Sequence, residues 1–315
     1  MDNLPTLTSM KTMKTRRLLM LLVLSAGMAA TALAAPPERS RAVPHARPLL
    51  AEAARSDSPE LRSEAFLVVD QHSGEVLLAR NADRIGPIAS ITKLMTAMVI
   101  LDAKQSLSEM LTVTEADRDR LRQSSSRLPI GSRLSREDLL RLALMSSENR
   151  AASALSRYYP GGTRAFAEAM NAKARLLGMD HSRFVEATGL SADNVSTARD
   201  LSTLLQAAAA YPLIRRFSTD SAHTVALGRR AREFRNTNPL VRDPGWEIGV
   251  SKTGYIEEAG RCLVMQAWMR GRPVLVVLLD SFGTRTRTAD ARRLQKWLAR
   301  RPWDALVMAH KGAKG

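Results

Sequence analysis

The chain has 315 residues, 47 Lys and Arg against 31 Asp and Glu, a net charge of +16 and a single cysteine. That length buries a sizeable core as one large domain or as two lobes around a cleft, and one cysteine excludes an intramolecular disulfide. Five scattered histidines, with neither His-Glu-x-x-His nor Cys-x-x-Cys, lack the ligand spacing of a zinc enzyme, so no metal and no other cofactor is expected.

The first 34 residues read as a secretory signal peptide. Lys11, Lys14, Arg16 and Arg17 precede an apolar run from Leu18 to about Leu33, and Ala32-Leu33-Ala34 fits a small-x-small cleavage site. An uncleaved anchor is the competing reading, because the run falls a little short of the ~20 residues that a spanning helix needs. Setting aside residues 1–34, which hold four of the basic and one of the acidic residues, leaves 43 against 30, a net of +13. Dispersed arginines without interleaved aromatics, in an exported chain, argue against nucleic acid; attraction to an anionic cell envelope is the simpler use. Residues 35–62, with Pro36, Pro37, Pro44, Pro48 and Pro59, suit an extended linker.

Two apolar runs, Ala65–Asp70 and Glu75–Arg80, flank a turn at Gly74 and predict a β-hairpin. Pro87 breaks the chain, and Leu94, Ala97, Met98 and Leu101 then recur on one helical face. Ser90 falls in the first turn of that helix, near the positive end of its dipole, and Lys93, three residues on, shares its face. Residues 105–240 carry mainly helical signals. Ser135 with Asp138, Thr163, and Thr197 with Asp200 look like helix N-caps; Asn149–Tyr158 is alanine-rich; Gly178 and Pro212 look like stops. Strand signals return at Glu247–Thr253, Arg261–Met269 and Pro273–Leu279, and a last helix is expected over Thr288–Arg300. The expected fold is α/β (α+β): an antiparallel sheet built from the N- and C-terminal segments (63–104 and 241–300) plus a central helical lobe (105–240), with a basic tail over 301–315. A cleft between lobes is the natural ligand site.

Three short motifs occur once each: Ser90-Ile91-Thr92-Lys93, Ser147-Glu148-Asn149 and Lys252-Thr253-Gly254, separated by 57 and 105 residues. In this order they resemble the active-site set of the penicillin-recognising serine enzymes. From about Phe66 to Leu298 the chain is similar to the serine D-alanyl-D-alanine peptidases, and the Asp138–Ala152 and Thr188–Asp200 segments strengthen the likeness. The resemblance implies a β-lactamase/transpeptidase-like fold and an acyl-enzyme on Ser90. It implies Lys93 as general base, its pKa lowered by burial and by the charge of Lys252, and Ser147 as proton relay. Asn149 would bind the substrate amide, Lys252 and Thr253 its carboxylate, while Gly254 admits the ligand close to the backbone. The N–H groups of Ser90 and Tyr255 would form the oxyanion hole.

Only about 60 residues follow Gly254, too few for an added β-domain and amphipathic anchor, so the chain most resembles the D-alanyl-D-alanine endopeptidase branch, the penicillin-binding protein 7 type. A D-alanyl-D-alanine carboxypeptidase, a β-lactamase and a non-catalytic penicillin-binding module are the alternatives. Glu186 lies where a class A β-lactamase keeps its deacylating glutamate, yet Ala187-Thr188-Gly189-Leu190 follows it, which is the peptidase-like pattern. Implied partners are peptidoglycan stem peptides and, as covalent inhibitors, β-lactams; the implied location is the periplasm. Leu294, Trp297 and Leu298 could touch a membrane surface, but their i, i+3, i+4 spacing suits packing onto the sheet.

Overall fold

The computed structural model describes residues 58–300. The expected signal peptide, the linker up to residue 57 and the tail 301–315 lie outside the described residues.

The chain opens with the hairpin of β1 (Ser63–Asp70) and β2 (Val76–Arg80). A short strand, β3 (Gly86–Pro87), leads into a single 3-10 turn, Ala89–Ile91, which runs on as α1 (Thr92–Asp102). Nine consecutive residues of α1, Thr92–Ile100, are buried. A helix covered on every side is a central one, and its neighbours wrap around it. Then come β4 (Met110–Thr112), β5 (Arg133–Ser135), α2 (Arg136–Met145), α3 (Asn149–Arg157) and α4 (Gly162–Leu176). Next are β6 (Val195–Ser196), α5 (Ala198–Ala209) and α6 (Pro212–Thr219), followed by a hairpin of β7 (Ala222–Leu227) and β8 (Arg230–Arg235). Three long strands, β9 (Glu247–Ile256), β10 (Gly260–Met269) and β11 (Arg272–Ser281), precede the last helix, α7 (Thr286–Ala299).

The main sheet has the order β2-β1-β11-β10-β9, antiparallel throughout, so its two halves come from the two ends of the described chain. This is the expected α+β architecture. Strand residues alternate between two cores. Ala65, Leu67 and Val69 of β1 with Leu275, Val277 and Leu279 of β11 face the helical half, whereas Phe66, Val68, Val274, Val276 and Leu278 face α7. Both faces are covered, which explains why these strands read as unbroken apolar runs. Leu294 and Leu298 of α7 are fully buried against the sheet and Trp297 packs beside them, so this stripe is core; each such leucine contributes about 2 kcal/mol.

Ser135 and Thr197 cap α2 and α5 as expected, each side-chain oxygen accepting the backbone N–H three residues on, from Asp138 and Asp200 at 3.0 Å. Thr163 does not cap: α4 begins one residue earlier, behind Gly161 at φ 82°. Pro212 stops α5 but also opens α6 at its first turn, where the missing N–H costs nothing. The helical middle also carries pieces of strand: β4 pairs with β5, β6 with β3, and β7 with β8. Among the described residues no helix is long and apolar enough to cross a membrane.

Candidate active site

Ser90 stands where the sheet meets the helical half. The 3-10 turn that holds it is forced by its neighbours: Ala89 sits at φ 47°, and Thr92 Oγ1 donates to Ala89 O at 2.8 Å. Two glycines press on the Ser90 peptide. A Cβ on Gly189 would lie 1.9 Å from Ala89 O, and one on Gly254 would lie 3.1 Å from Ser90 N. Only hydrogen fits at Gly189, whose φ of 78° is also in the glycine region. The turn is thus clamped between the loop after Glu186 and strand β9.

Lys93 lies behind Ser90, 1% exposed, with its Nζ 2.9 Å from Ser90 Oγ. Its other two partners are Asn149 Oδ1 at 2.8 Å and Thr188 O at 2.5 Å, and both accept only. A neutral lysine amine has two N–H donors and one lone pair. With the two donors committed to those oxygens, the lone pair faces the Ser90 hydroxyl. Burial lowers the Lys93 pKa to about 8, against the pull of the Glu186 and Glu148 carboxylates, which raise it. Lys252 is also held well below its normal pKa, by burial first and then by the charges of Lys93 and Arg287, and the repulsion between the two buried lysines is mutual.

Lys252 is likewise 1% exposed; its Nζ donates to Ser147 Oγ at 2.9 Å and to Thr253 O at 2.8 Å. Ser147 sits between α2 and α3 at φ 59°, a strained conformation for a residue with a side chain. The strain directs its hydroxyl toward Lys252. Thr253 Oγ1 donates to Thr237 Oγ1 at 2.6 Å, and Asn149 Nδ2 donates to Ser124 Oγ at 3.0 Å. Of the eight residues singled out in the sequence, Ser90, Ser147, Asn149, Thr253, Gly254 and Tyr255 line one cleft of about 490 Å³. Lys93 and Lys252 are the buried pair beneath it. Tyr255 is 55% exposed, with the Arg261 guanidinium over its ring. A larger hollow of about 590 Å³, on the far side of the Glu186 loop, holds none of these eight residues.

Sequence reasoning did not single out the polar cleft residues Arg122, Ser124, Thr237, Glu257 and Arg287. Arg287 Nη1 donates to Gly254 O at 2.8 Å and to Cys262 O at 3.2 Å, bracing the end of the Lys-Thr-Gly strand. Among the described residues it forms no ion pair with a carboxylate, and burial and Arg261 hold its pKa below the usual range. Its position in the first turn of α7, 35 residues after Lys252, gives no local signal. Among the described residues no group of three or more His, Cys, Asp or Glu is placed to hold a metal.

Glu186 is committed elsewhere. Its Oε2 accepts from Thr188 N and Thr188 Oγ1, both at 2.5 Å, and its Oε1 from Gly189 N at 2.6 Å and Asn194 Nδ2 at 3.0 Å. It is the staple of the loop that carries Thr188 O and Gly189, not a free base.

The comparisons with known proteins agree with this geometry. The D-alanyl-D-alanine carboxypeptidase family profile matches residues 52–283. The chain is 53% identical over 241 residues to a Pseudomonas aeruginosa D-alanyl-D-alanine endopeptidase, covering 76% of this chain and 78% of the relative. It is 47% identical over 257 residues to the Escherichia coli D-alanyl-D-alanine endopeptidase, covering 81% and 83%. The crystal structure of the Streptomyces K15 DD-transpeptidase superposes with a TM-score of 0.71 at 28% identity, covering 76% of this chain and 98% of that one. The chain belongs to the D-alanyl-D-alanine carboxypeptidase family and is a serine D-Ala-D-Ala peptidase.

Proposed function

We propose that the protein is a D,D-endopeptidase that cuts the D-alanyl cross-link between peptidoglycan stem peptides through an acyl-enzyme on Ser90. The observation that carries the mechanism is the 2.9 Å contact between Ser90 Oγ and a buried Lys93 whose remaining partners are acceptors. Lys93 takes the Ser90 proton as Oγ bonds to the D-alanyl carbonyl carbon. The oxyanion is held by the N–H groups of Ser90 and Tyr255. Ser147, bonded to Lys252, relays to the leaving nitrogen the proton that Lys93 took from Ser90, as the C–N bond breaks. Water then hydrolyses the ester: its oxygen bonds to the acyl carbon, and its proton, taken up by Lys93, returns to Ser90 Oγ as the C–O bond breaks.

Asn149 positions Lys93 and keeps a second Nδ2 hydrogen for the substrate amide. Thr253 and Lys252 were the expected carboxylate partners, and Arg287, a cation beside the same strand with no carboxylate partner among the described residues, joins them in this proposal. The choice of endopeptidase rests on the two relatives above, whereas the Escherichia coli D-alanyl-D-alanine carboxypeptidase DacC is 30% identical over 251 residues. The staple role of Glu186 argues against fast β-lactam hydrolysis. We further place the protein in the periplasm, after export by residues 1–34, with β-lactams as covalent inhibitors, no nucleic-acid partner and at most peripheral membrane contact.

Digestion of purified cross-linked muropeptides tests the reading: dimers should become monomers, and S90A should leave them intact. Dimers that persist while pentapeptides lose D-alanine would establish the carboxypeptidase instead. Benzylpenicillin should add one acyl group to the wild-type protein and none to S90A, by mass spectrometry.

A further inference from the structure

One contact at the mouth of the cleft is not used by the mechanism above. Arg122, in the segment before β5, lines the same cleft as Ser90, and Glu258 stands in the turn joining β9 to β10. Arg122 Nη2 lies 2.8 Å from both oxygens of the Glu258 carboxylate. An ion pair therefore joins the helical half to the sheet across the opening.

The two ends of Arg122 are held differently. Its backbone N–H is tied to Asp119 Oδ1 at 3.0 Å and its Nε to Leu190 O at 2.5 Å, so the guanidinium is fixed at the rim, with its Nη2 end turned outward to Glu258. Glu258 is 47% exposed and stands in a turn. Pairs this exposed contribute little to stability, because water screens them, so opening the pair costs little.

Resting on the endopeptidase reading, we infer that Arg122 and Glu258 form a split receptor for a free amino-acid end on the substrate, one carrying both a carboxylate and an ammonium. When the pair opens, Arg122 takes the carboxylate and Glu258 takes the ammonium. Each charge exchanges one partner for another of the same sign, so none is left uncompensated. Such an end belongs to a diamino diacid in the stem peptide, at the residue preceding the scissile D-alanine. Both groups stand at the mouth of the cleft that holds Ser90: Arg122 lines it, and Glu258 follows the lining residue Glu257. The pair is thus a specificity element, distinct from the group that holds the carboxylate next to the scissile bond.

The test compares three cross-linked peptides: the parent with a free amino-acid end, its carboxamide, and its N-acetyl form. For the wild-type enzyme each modification should lower kcat/KM about tenfold, the effect of one charge-assisted hydrogen bond made in competition with water. R122Q should lose discrimination against the carboxamide, and E258Q should lose discrimination against the N-acetyl form. Wild-type rates that are equal on all three peptides overturn the inference, as do variants that retain both discriminations. Benzylpenicillin acylation of each variant reports whether the Ser90 machinery is assembled. Should R122Q not acylate, E258Q, altered only in an exposed turn, decides the matter. A wild-type protein that acylates but cleaves no cross-link defeats the endopeptidase reading, and the same three modifications on a pentapeptide then test the receptor by itself.

Discussion

The two walls of the cleft are made in opposite ways. On the helical side, Ala89, Ser147 and Gly189 all have positive φ, and the polar groups are aimed by side-chain hydrogen bonds centred on Lys93, Asn149 and Glu186. On the other side, Lys252–Tyr255 belong to a regular ladder, each paired with a residue of β10 from Val264 to Arg261. Strained backbone supplies directions that regular structure cannot, and the strand supplies a straight edge for a peptide. The first wall holds the acid–base groups and the second reads the substrate.

The largest expected effect on this contrast comes from the centre of the strained wall. Lys93→Ala should lower the rate of penicillin acylation by about 10³-fold or more, while the wild-type rate should rise with pH through about 8 as Lys93 gives up its proton. A rate that is flat across that range would remove Lys93 as the base. Next come the two glycines. Gly189→Ala meets Ala89 O at 1.9 Å and should destabilise by about 3 kcal/mol or more, whereas Gly254→Ala, at 3.0 Å from Ile88 O, should cost about 1 kcal/mol in denaturant titration. Equal losses would erase the distinction between the walls.

Glu186→Gln probes the staple. Its carboxylate raises the Lys93 pKa, so removing the charge should let that pKa fall and move the acid limb of the acylation profile to lower pH. The lost loop bonds should also cost about 2 kcal/mol of stability. A limb that moves to higher pH would contradict the assigned sign. Smallest of all, Tyr255→Phe should change acylation less than about twofold, since this exposed side chain reaches solvent and the strand acts through its main chain. A large loss would mean that the hydroxyl takes part.

Much of this was legible in the sequence because the chemistry sits in short local motifs. Ser90 and Lys93 are one helical turn apart, and Ser147 with Asn149, like Lys252 with Gly254, occupy a single junction or strand. The long strands were visible because both of their faces are buried. What stayed hidden was held by contacts between distant loops. Ser124 reaches Asn149 across 25 residues and Arg287 reaches Gly254 across 33, with no periodicity to mark either. The β7–β8 hairpin was missed for a different reason: only Val225 and Phe234 of its twelve strand residues are buried, so no alternating apolar face marks it.

The buried thiol of Cys262 has a consequence of its own. Its pKa is pushed up to about 11 by burial, and it lies on β10 directly opposite Gly254. A sulfur so shielded and so fully protonated resists alkylating reagents and oxidants. Alkylation of the folded enzyme should therefore leave its only sulfhydryl, one strand away from Gly254, unmodified.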